Sequence, residues 1–316
     1  MSDTTDFSAS QAAWKRLTGR MEAQNWPAST LYVVATPIGN LGDLSLRACE
    51  TLARCDVIAA EDTRASRSLL EAWGIATPLM AAHRHNEASA AQSIVERLER
   101  GGRVALVSDA GAPAVSDPGA RIVRAVREAG HRVVAIPGAS AVITALMASG
   151  VTSDENPAFV FAGFMPAKAA ARQKWLRRWC AVPAPVVMFE SPHRLAAAIK
   201  DIVLVCGPER GLTLARELTK RFEQVHTLAA GDAAAWLESD SHHGQGEFVL
   251  IVHESERDEA DDAIDPAALA LLDALLESVS LRDAARITAK VTGQPRDALY
   301  AHALARQKSS LGQDGL

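Results

Sequence analysis

"RVALVSDAGAPAVSDPGARIVRAVREAGHRVVAIPGAS", residues Arg103 to Ser140, alternates apolar runs with loops of turn-forming residues. Arg103 to Val107 is short, apolar and rich in valine, which predicts a buried strand. The loop after it, up to Gly119, carries two glycines, two prolines and two Ser-Asp pairs. Ala120 to Glu128 predicts a helix that Gly130 ends. Arg132 to Ile136 is a second strand, "PGAS" a turn, and Ala141 to Ser149 another helix. Strand, loop, helix and strand in this order, with continuous apolar strands, predict a parallel sheet covered on both faces.

Working outward, Thr30 to Ala35 is a strand cut by "TPIGNLGD". Leu44 to Arg54 predicts a helix with Leu46, Cys49, Leu52 and Ala53 on one side, and Val57 to Ala60 a strand. Ser66 to Trp73 is helical up to Gly74. Asn86 is placed to cap a helix that runs to Gly101. In such sheets ligands bind beyond the carboxyl ends of strands. "TPIGN", "SDAGAPAVSDPG" and "PGAS" all occupy that position. No G-x-G-x-x-G or GK[ST] is present, so neither a dinucleotide fingerprint nor a phosphate-binding Walker loop is read here. One such loop alone serves as well for a tight connection.

Near residue 155 the pattern changes. Phe159 to Phe164, Pro185 to Glu190, Leu212 to Arg216, Val225 to Leu228 and Glu247 to His253 are candidate strands, with helices at 168–179, 191–204 and 231–238. The close spacing of the last strands predicts a mixed or antiparallel sheet. "HESERDEADDAID", with seven acids and one arginine, reads as a solvated linker. Three helical segments follow, at about 266–277, 280–291 and 295–307, the last two shaped like a helix-turn-helix. The expected organisation is a poorly ordered extension over 1–28 with a short helix around Ala12 to Ala23, α/β domains over 29–153 and 154–253, a linker over 254–265 and a helical domain over 266–316.

Hydrophobic content of 48% and charged content of 22% suit a globular chain with real cores, and a net charge of −5 excludes a global polycation. Any nucleic-acid surface must be local. "MPAKAAARQKWLRRW" is the best candidate, with five basic residues, no acid and two tryptophans; Lys168 and Arg172 begin it. A solvated helix face fits that segment equally well. No C-x-x-C pair joins Cys49, Cys55, Cys180 or Cys206, so a zinc site is not expected and a reducing, cytoplasmic setting is. No apolar run reaches the roughly 18 residues of a membrane span. His83 and His85 in "HRHNE" lack a third ligand at matching spacing, so no metal is expected.

Chemistry-bearing residues cluster in "AEDTR" (Ala60 to Arg64), "FESPHRL" (Phe189 to Leu195) and "ARELTKRFE" (Ala215 to Glu223). Each also has a structural reading, as helix caps or surface ion pairs.

Taken together, "LYVVATPIGNLGDLSLRACETLARCDVIAAEDTR", "HRHNE", "LVSDAGAPAVSDPG", "IPGASA", "FESPHRL" and "RELTKRFE" resemble the ribosomal small-subunit RNA cytidine 2′-O-methyltransferases, a family of the tetrapyrrole methylase superfamily. The order and spacing match over about residues 30–253, and the terminal helices resemble that family's helix-turn-helix-like domain. The resemblance implies two α/β domains of tetrapyrrole-methylase type with S-adenosylmethionine in the cleft between them, usually in a homodimer. It implies methylation of the ribose 2′-oxygen of a cytidine in the decoding region of 16S rRNA, in the small ribosomal subunit. By motif, Pro37, Asp109, Gly111, Ala112, Ser140 and Ala141 line the cofactor pocket, and Phe189 and Gly246 reach it from the second domain. Asp62, Arg64, His85, Asn86, Arg194 and Glu223 border the RNA-facing mouth, joined by Lys168 and Arg172. Glu190, His193 and Lys220 rank highest for chemistry. Ala112 departs from the family, which usually has threonine there. A methylase of small tetrapyrrole precursors and a non-catalytic RNA-binding protein are the rival readings.

Overall fold

The computed structural model describes residues 7–154, 156–255 and 265–311. The chain forms two compact units, Met1–Glu254 and Ser255–Leu316.

The first unit opens with helix α1 (Phe7–Glu22), which is longer toward the N-terminus than the expected short helix. Its first sheet contains β1 (Thr30–Val34), β2 (Val57–Ala60), β3 (Leu79–Ala81), β4 (Arg103–Val107) and β5 (Arg132–Ile136). They run in the order β3-β2-β4-β1-β5, and every pairing is parallel. The doubly covered parallel sheet expected from the apolar runs is what forms. β3 was not anticipated, because three residues carry no periodicity.

Strand alternation divides the core. Tyr32, Val34, Ile58, Ala60, Ala105 and Val107 face α2 (Leu46–Arg54) and α3 (Thr63–Ala72). Leu31, Val57, Ala59, Val104 and Leu106 face α4 (Glu87–Glu99) and α5 (Ala120–Glu128). α2 starts at Leu46 because Ser45 caps it, its hydroxyl accepting the Ala48 N–H at 3.1 Å. Its buried face is Ala48, Thr51 and Leu52, whereas Ala53, placed inward by the sequence reading, is exposed.

The second sheet contains β6 (Val160–Phe164), β7 (Val186–Glu190), β8 (Gly211–Arg216), β9 (Gln224–Ala229) and β10 (Phe248–Val252), in the order β6-β7-β10-β8-β9. β6 and β7 are parallel and the other pairs antiparallel, so the sheet is mixed. One face packs on α7 (Ala169–Trp179) and α8 (Pro192–Cys206), and α9 (Ala233–Ser239) follows β9. The other face receives Val142, Ala145 and Leu146 of α6 (Ala141–Ser149). α6 follows the last strand of the first sheet, so this packing joins the two lobes. The change of pattern near residue 155 is therefore a change of sheet within one compact unit.

The second unit holds α10 (Pro266–Leu276), α11 (Leu281–Thr292) and α12 (Arg296–Leu311) around Ala268, Leu272, Ala284, Ala285, Leu299 and Ala303. Ser280 caps α11 and exchanges hydrogen bonds with Asp283, and Gly293 ends the helix in the left-handed conformation. The acidic stretch read as a linker falls largely on 256–264, outside the described residues, as does 1–6 of the expected extension. Among the described residues no helix is long and apolar enough to cross a membrane.

Candidate active site

The loops that leave the first sheet are tied to one another. The Thr36 N–H donates to Gly111 O at 2.9 Å and Gly111 N–H returns a bond to Thr36 O at 3.0 Å. The Asp62 N–H donates to Asp109 Oδ1 at 2.9 Å. Glu87 reaches across from α4, where its carboxylate accepts from Gly119 N and Arg121 N at 2.9 and 3.1 Å. It thereby caps α5, whose own N-cap residue is a glycine with no side chain to do so. Between these anchors Ala114 and Ser116 adopt left-handed backbone, at φ 68° and 65°. Non-glycine residues held there cost of order 1–3 kcal/mol each, so the loop's shape is imposed by its surroundings.

These loops form one wall of a cavity of about 520 Å³. Ile38, Glu61, the Asp109–Ala112 segment, Asp117 and the start of α6 at Ser140 to Val142 come from the first lobe. Phe164, Phe189, Glu190, Ser191 and Pro192 face them from the ends of β6 and β7, with Leu218 after β8 and Glu247 to Val249 at the start of β10. Because β10 runs antiparallel, its beginning lies at the same sheet edge as the ends of β7 and β8.

The first wall is acidic. Burial pushes the Glu61 carboxyl up, and Asp109 and Asp117 add to the effect. Burial also raises Asp117; a hydrogen bond from Ser108 opposes this and Asp109 reinforces it. Clustered carboxylates of this kind favour a cation as neighbour. Beside them, Ser140 holds the N-cap of α6 without a side-chain hydrogen bond, so the helix start presents N–H groups to an anion. Apolar Ile38, Val142, Leu218, Phe248 and Val249 complete the lining. S-adenosylmethionine carries a sulfonium, an ammonium, a carboxylate and an apolar-faced adenine, and this donor set matches all four.

Of the residues singled out from sequence, Asp109, Gly111, Ala112, Ser140, Ala141, Phe189 and Glu190 stand in the wall. Pro37 and Gly246 do not, although their chain neighbours Ile38 and Glu247 do. Gly246 serves close packing: at φ 93°, a Cβ there would approach Glu217 Cγ to 2.5 Å. Asp117, Phe164 and Leu218 were missed, and Glu61 was read only as part of the charged "AEDTR" cluster. Glu61 adjoins the highlighted Asp62, and Asp117 lies in the quoted loop, so proximity to those motifs was the available signal.

Glu190 is 2% exposed. Its Oε1 pairs with Arg194 at 2.5 Å and accepts the Ser191 N–H at 2.7 Å, while Oε2 is buried without a hydrogen-bond partner. Arg194 is thus committed to Glu190 instead of standing free for RNA. Ser191 makes no capping bond; its hydroxyl accepts from Arg194 Nε at 3.2 Å. His193 is exposed on the first turn of α8, outside the lining.

Lys220 bonds Glu217 and Glu247, both at 2.8 Å. Burial works against its charge, but the bonds to Glu217 and then Glu247 outweigh it and raise the pKa. A lysine held protonated is a fixed cation and no base, so any chemistry at Lys220 is that of a positive charge. Its stem crosses Gly39, where a Cβ would come within 2.5 Å of Cγ. The second lobe is thereby latched to the first loop.

Several mouth residues also have structural duties. Asp62 caps α3 through the Arg64 N–H at 2.8 Å, and the Arg64 side chain extends into solvent. Asn86 makes no capping bond and instead donates to Ala81 O at 3.0 Å. His85 lies in the turn after β3, its ring edge-on to His83 at 6.1 Å. Glu223 accepts the Thr219 N–H.

Arg172 requires the largest correction. It is 3% exposed, pairs with Asp201 through Nε at 2.7 Å, and donates to Ala167 O at 3.1 Å. Asp201 lies on α8, so Arg172 is a clamp between helices, withdrawn from any RNA surface. Trp175 and Trp179 pack partly into the core and meet each other at 6.3 Å, so they offer no open stacking pair. Lys168, at the N-cap of α7, remains exposed.

Residues 30–234 match the family model of tetrapyrrole (corrin/porphyrin) methylases, and residues 262–307 match that of the RsmI C-terminal HTH domain. The ribosomal RNA small subunit methyltransferase I of Haemophilus influenzae is 46% identical over 275 residues, 87% of this chain and 96% of that protein. Its Pseudomonas aeruginosa counterpart is 44% identical over 283 residues, 90% of this chain and 99% of that one. Among solved structures, the fold is shared with diphthine synthase (TM-score 0.55, 14% identity, 71% and 89% of the two chains). It is shared too with the methyltransferase CobJ (TM-score 0.53, 19% identity, 71% and 94%). A third likeness is the uroporphyrin-III C-methyltransferase from Thermus thermophilus complexed with S-adenyl homocysteine (TM-score 0.50, 15% identity, 71% and 96%).

Proposed function

The chain belongs to the tetrapyrrole methylase family, in its ribosomal RNA small subunit methyltransferase I branch, and from that premise we propose that it methylates the ribose 2′-oxygen of a cytidine in the decoding region of 16S rRNA. It is a methyltransferase that uses S-adenosylmethionine. The observation that carries the reading is one cavity with an acidic, helix-started wall suited to that donor and an aromatic wall opposite, in a chain 46% identical to a named rRNA methyltransferase.

The donor supplies an already activated methyl group. The chain's own task is chiefly to align the incoming oxygen, which can lower a barrier by roughly 7–11 kcal/mol when reactants are well oriented. Asp109 and Asp117 would hold the cationic end of the donor, and the start of α6 would take its carboxylate. The Thr36–Gly111 bridge and the Asp62–Asp109 bond keep that wall in register. Leu218, Phe248 and Val249 exclude water from the apolar side. Of the three side chains ranked for chemistry, Glu190 alone stands in the wall. Glu217 and Glu247 fix Lys220 within the second lobe, with its stem packed against Gly39 of the first. Ala112 contributes backbone and a methyl, so the missing hydroxyl leaves this wall otherwise intact. The working assembly is a homodimer acting in the cytoplasm on the small ribosomal subunit, and the terminal helical unit and Lys168 serve RNA contact.

The test is labelled S-adenosylmethionine with small subunits that lack the modification. Label at the 2′-oxygen of one cytidine, read by nuclease digestion and mass spectrometry, is the expected result. Label found only in a tetrapyrrole precursor, or in nothing, overturns the proposal.

A further inference from the structure

The turn between β8 and β9 is strained, pinned and carries a large ring into solvent. Glu217 and Thr219 adopt left-handed backbone, at φ 49° and 66°. Neither is a glycine, so both conformations persist only because their surroundings impose them. The Glu217 N–H donates to Glu247 O at 3.0 Å, the Lys220 N–H to Glu217 O at 3.0 Å and the Glu223 N–H to Lys220 O at 3.1 Å. The Glu223 carboxylate accepts the Thr219 N–H. Leu218, between the two strained residues, lines the cavity. Lys220 bonds Glu247, another lining residue, and its stem lies against Gly39, the neighbour of lining residue Ile38. The turn therefore stands at the rim where the two lobes meet.

Phe222, four residues after Leu218, is 64% exposed, and the Arg221 guanidinium lies 5.5 Å from its ring centre. Lys220 is spent on Glu217 and Glu247, whereas among the described residues no carboxylate pairs with Arg221. Four residues of chain span at most about 14 Å, so Phe222 is close to the cavity without lining it. A single exposed apolar side chain is ordinary on a protein surface. This one is set apart by the pinned backbone that presents it and by the uncommitted cation against its ring.

We propose that Phe222 and Arg221 form a platform for an unpaired nucleotide flanking the methylated one, with Phe222 stacking on its base and Arg221 meeting a phosphate. This rests on the function proposed above. The target ribose must enter the cavity, so the RNA strand on either side of it has to cross the rim. Unpaired RNA is held by bases stacked on aromatic rings and by cations along its backbone. Such stacking accepts any base, so the platform positions the strand and does not read its sequence. With a net charge of −5 the chain has no global attraction for RNA, and local cations have to supply it.

The experiment measures binding of the full chain to small subunits that lack the modification, across a salt series. Calorimetry gives the S-adenosylmethionine Kd, and sedimentation velocity the oligomeric state. Phe222→Ala is expected to raise the subunit Kd about five- to hundredfold with an unchanged salt slope, because stacking releases no counterion. Phe222→Trp keeps the wild-type affinity. Arg221→Gln lowers the salt slope by about one. Both side chains are exposed, so the variants are expected to fold. Donor Kd and oligomeric state stay as in the wild type. The inference is overturned if Phe222→Ala binds subunits as the wild type does, or if it weakens donor binding. It is overturned equally if that variant changes the oligomeric state, which would make the ring a contact for a second copy. A wild type that methylates no 2′-oxygen sinks the proposed function; methylation by the wild type, with subunit binding unaltered in Phe222→Ala, sinks only this platform.

Discussion

Replacing Arg172 by methionine separates two readings of the basic helix α7. In the structure Arg172 is an internal clamp. Its guanidinium contacts Asp201 Oδ2 through Nε at 2.7 Å and Nη2 at 2.5 Å, and Gln173 holds the other carboxylate oxygen at 2.8 Å. Methionine fills similar space but leaves Asp201 charged, buried and bonded to Gln173 alone. Breaking a buried pair in this way costs about 3–5 kcal/mol. In a unit of some 254 residues each kcal/mol moves Tm by about 2–4 °C, so a fall of roughly 6–20 °C is expected. The double variant Arg172→Met/Asp201→Leu is expected to recover most of it, since a well-packed apolar pair can replace a buried ionic one. Differential scanning calorimetry reads the stability, and rRNA binding across a salt series reads the interface. At temperatures where the variant is folded, affinity and salt slope should match the wild type. An unchanged Tm, with weaker binding and a salt slope reduced by about one, would show Arg172 on a phosphate and refute the clamp.

Further perturbations address the site's framework. Glu87→Ala leaves the Gly119 and Arg121 N–H groups without their acceptor, and a loss of about 1–3 kcal/mol is expected by urea denaturation, with Glu87→Gln losing less. Gly39→Ala drives a Cβ into the Lys220 stem; about 1–3 kcal/mol of destabilisation should accompany weaker donor binding, both reading the loosened latch in thermal-shift and calorimetric titrations. Burial holds the His253 pKa below its usual 6.5, so the unfolded chain takes up the proton first and stability is lost as pH falls below about 6.5. Denaturation midpoints between pH 8 and 5 should show this, and His253→Gln should flatten the curve. The raised Glu61 carboxyl is ionised by higher pH, so S-adenosylmethionine affinity should climb as pH rises above about 4.5, more steeply than that of S-adenosylhomocysteine, which lacks the sulfonium charge. Equal slopes for the two compounds, or no flattening in Glu61→Gln, would contradict a cation-facing role.

Much of this architecture is written in short stretches of chain. The apolar runs at Thr30, Val57 and Arg103, each followed by turn formers and a helix, are readable because strand and helix periodicities are local. The same pattern placed Asp109, Gly111 and Ser140 at strand ends, which is where the cavity opens. β3 is three residues long and carries no such pattern. Close spacing announced the antiparallel character of the second sheet, but the insertion of β10 between β7 and β8 depends on pairings that no local stretch specifies. Charged side chains were the least legible. A basic helix looks the same from its sequence whether an arginine points into solvent or to a carboxylate on the next helix. Arg172 finds Asp201 29 residues away, Glu87 finds Gly119 32 residues away, and Lys220 finds Glu247 27 residues away. The sequence by itself determined the elements, the loops at the sheet edge and the family, because these follow from nearest-neighbour conformational preference and motif spacing. The tertiary structure alone decided which charges are spent on one another, because burial and partner distance arise only once the two sheets have closed around α6.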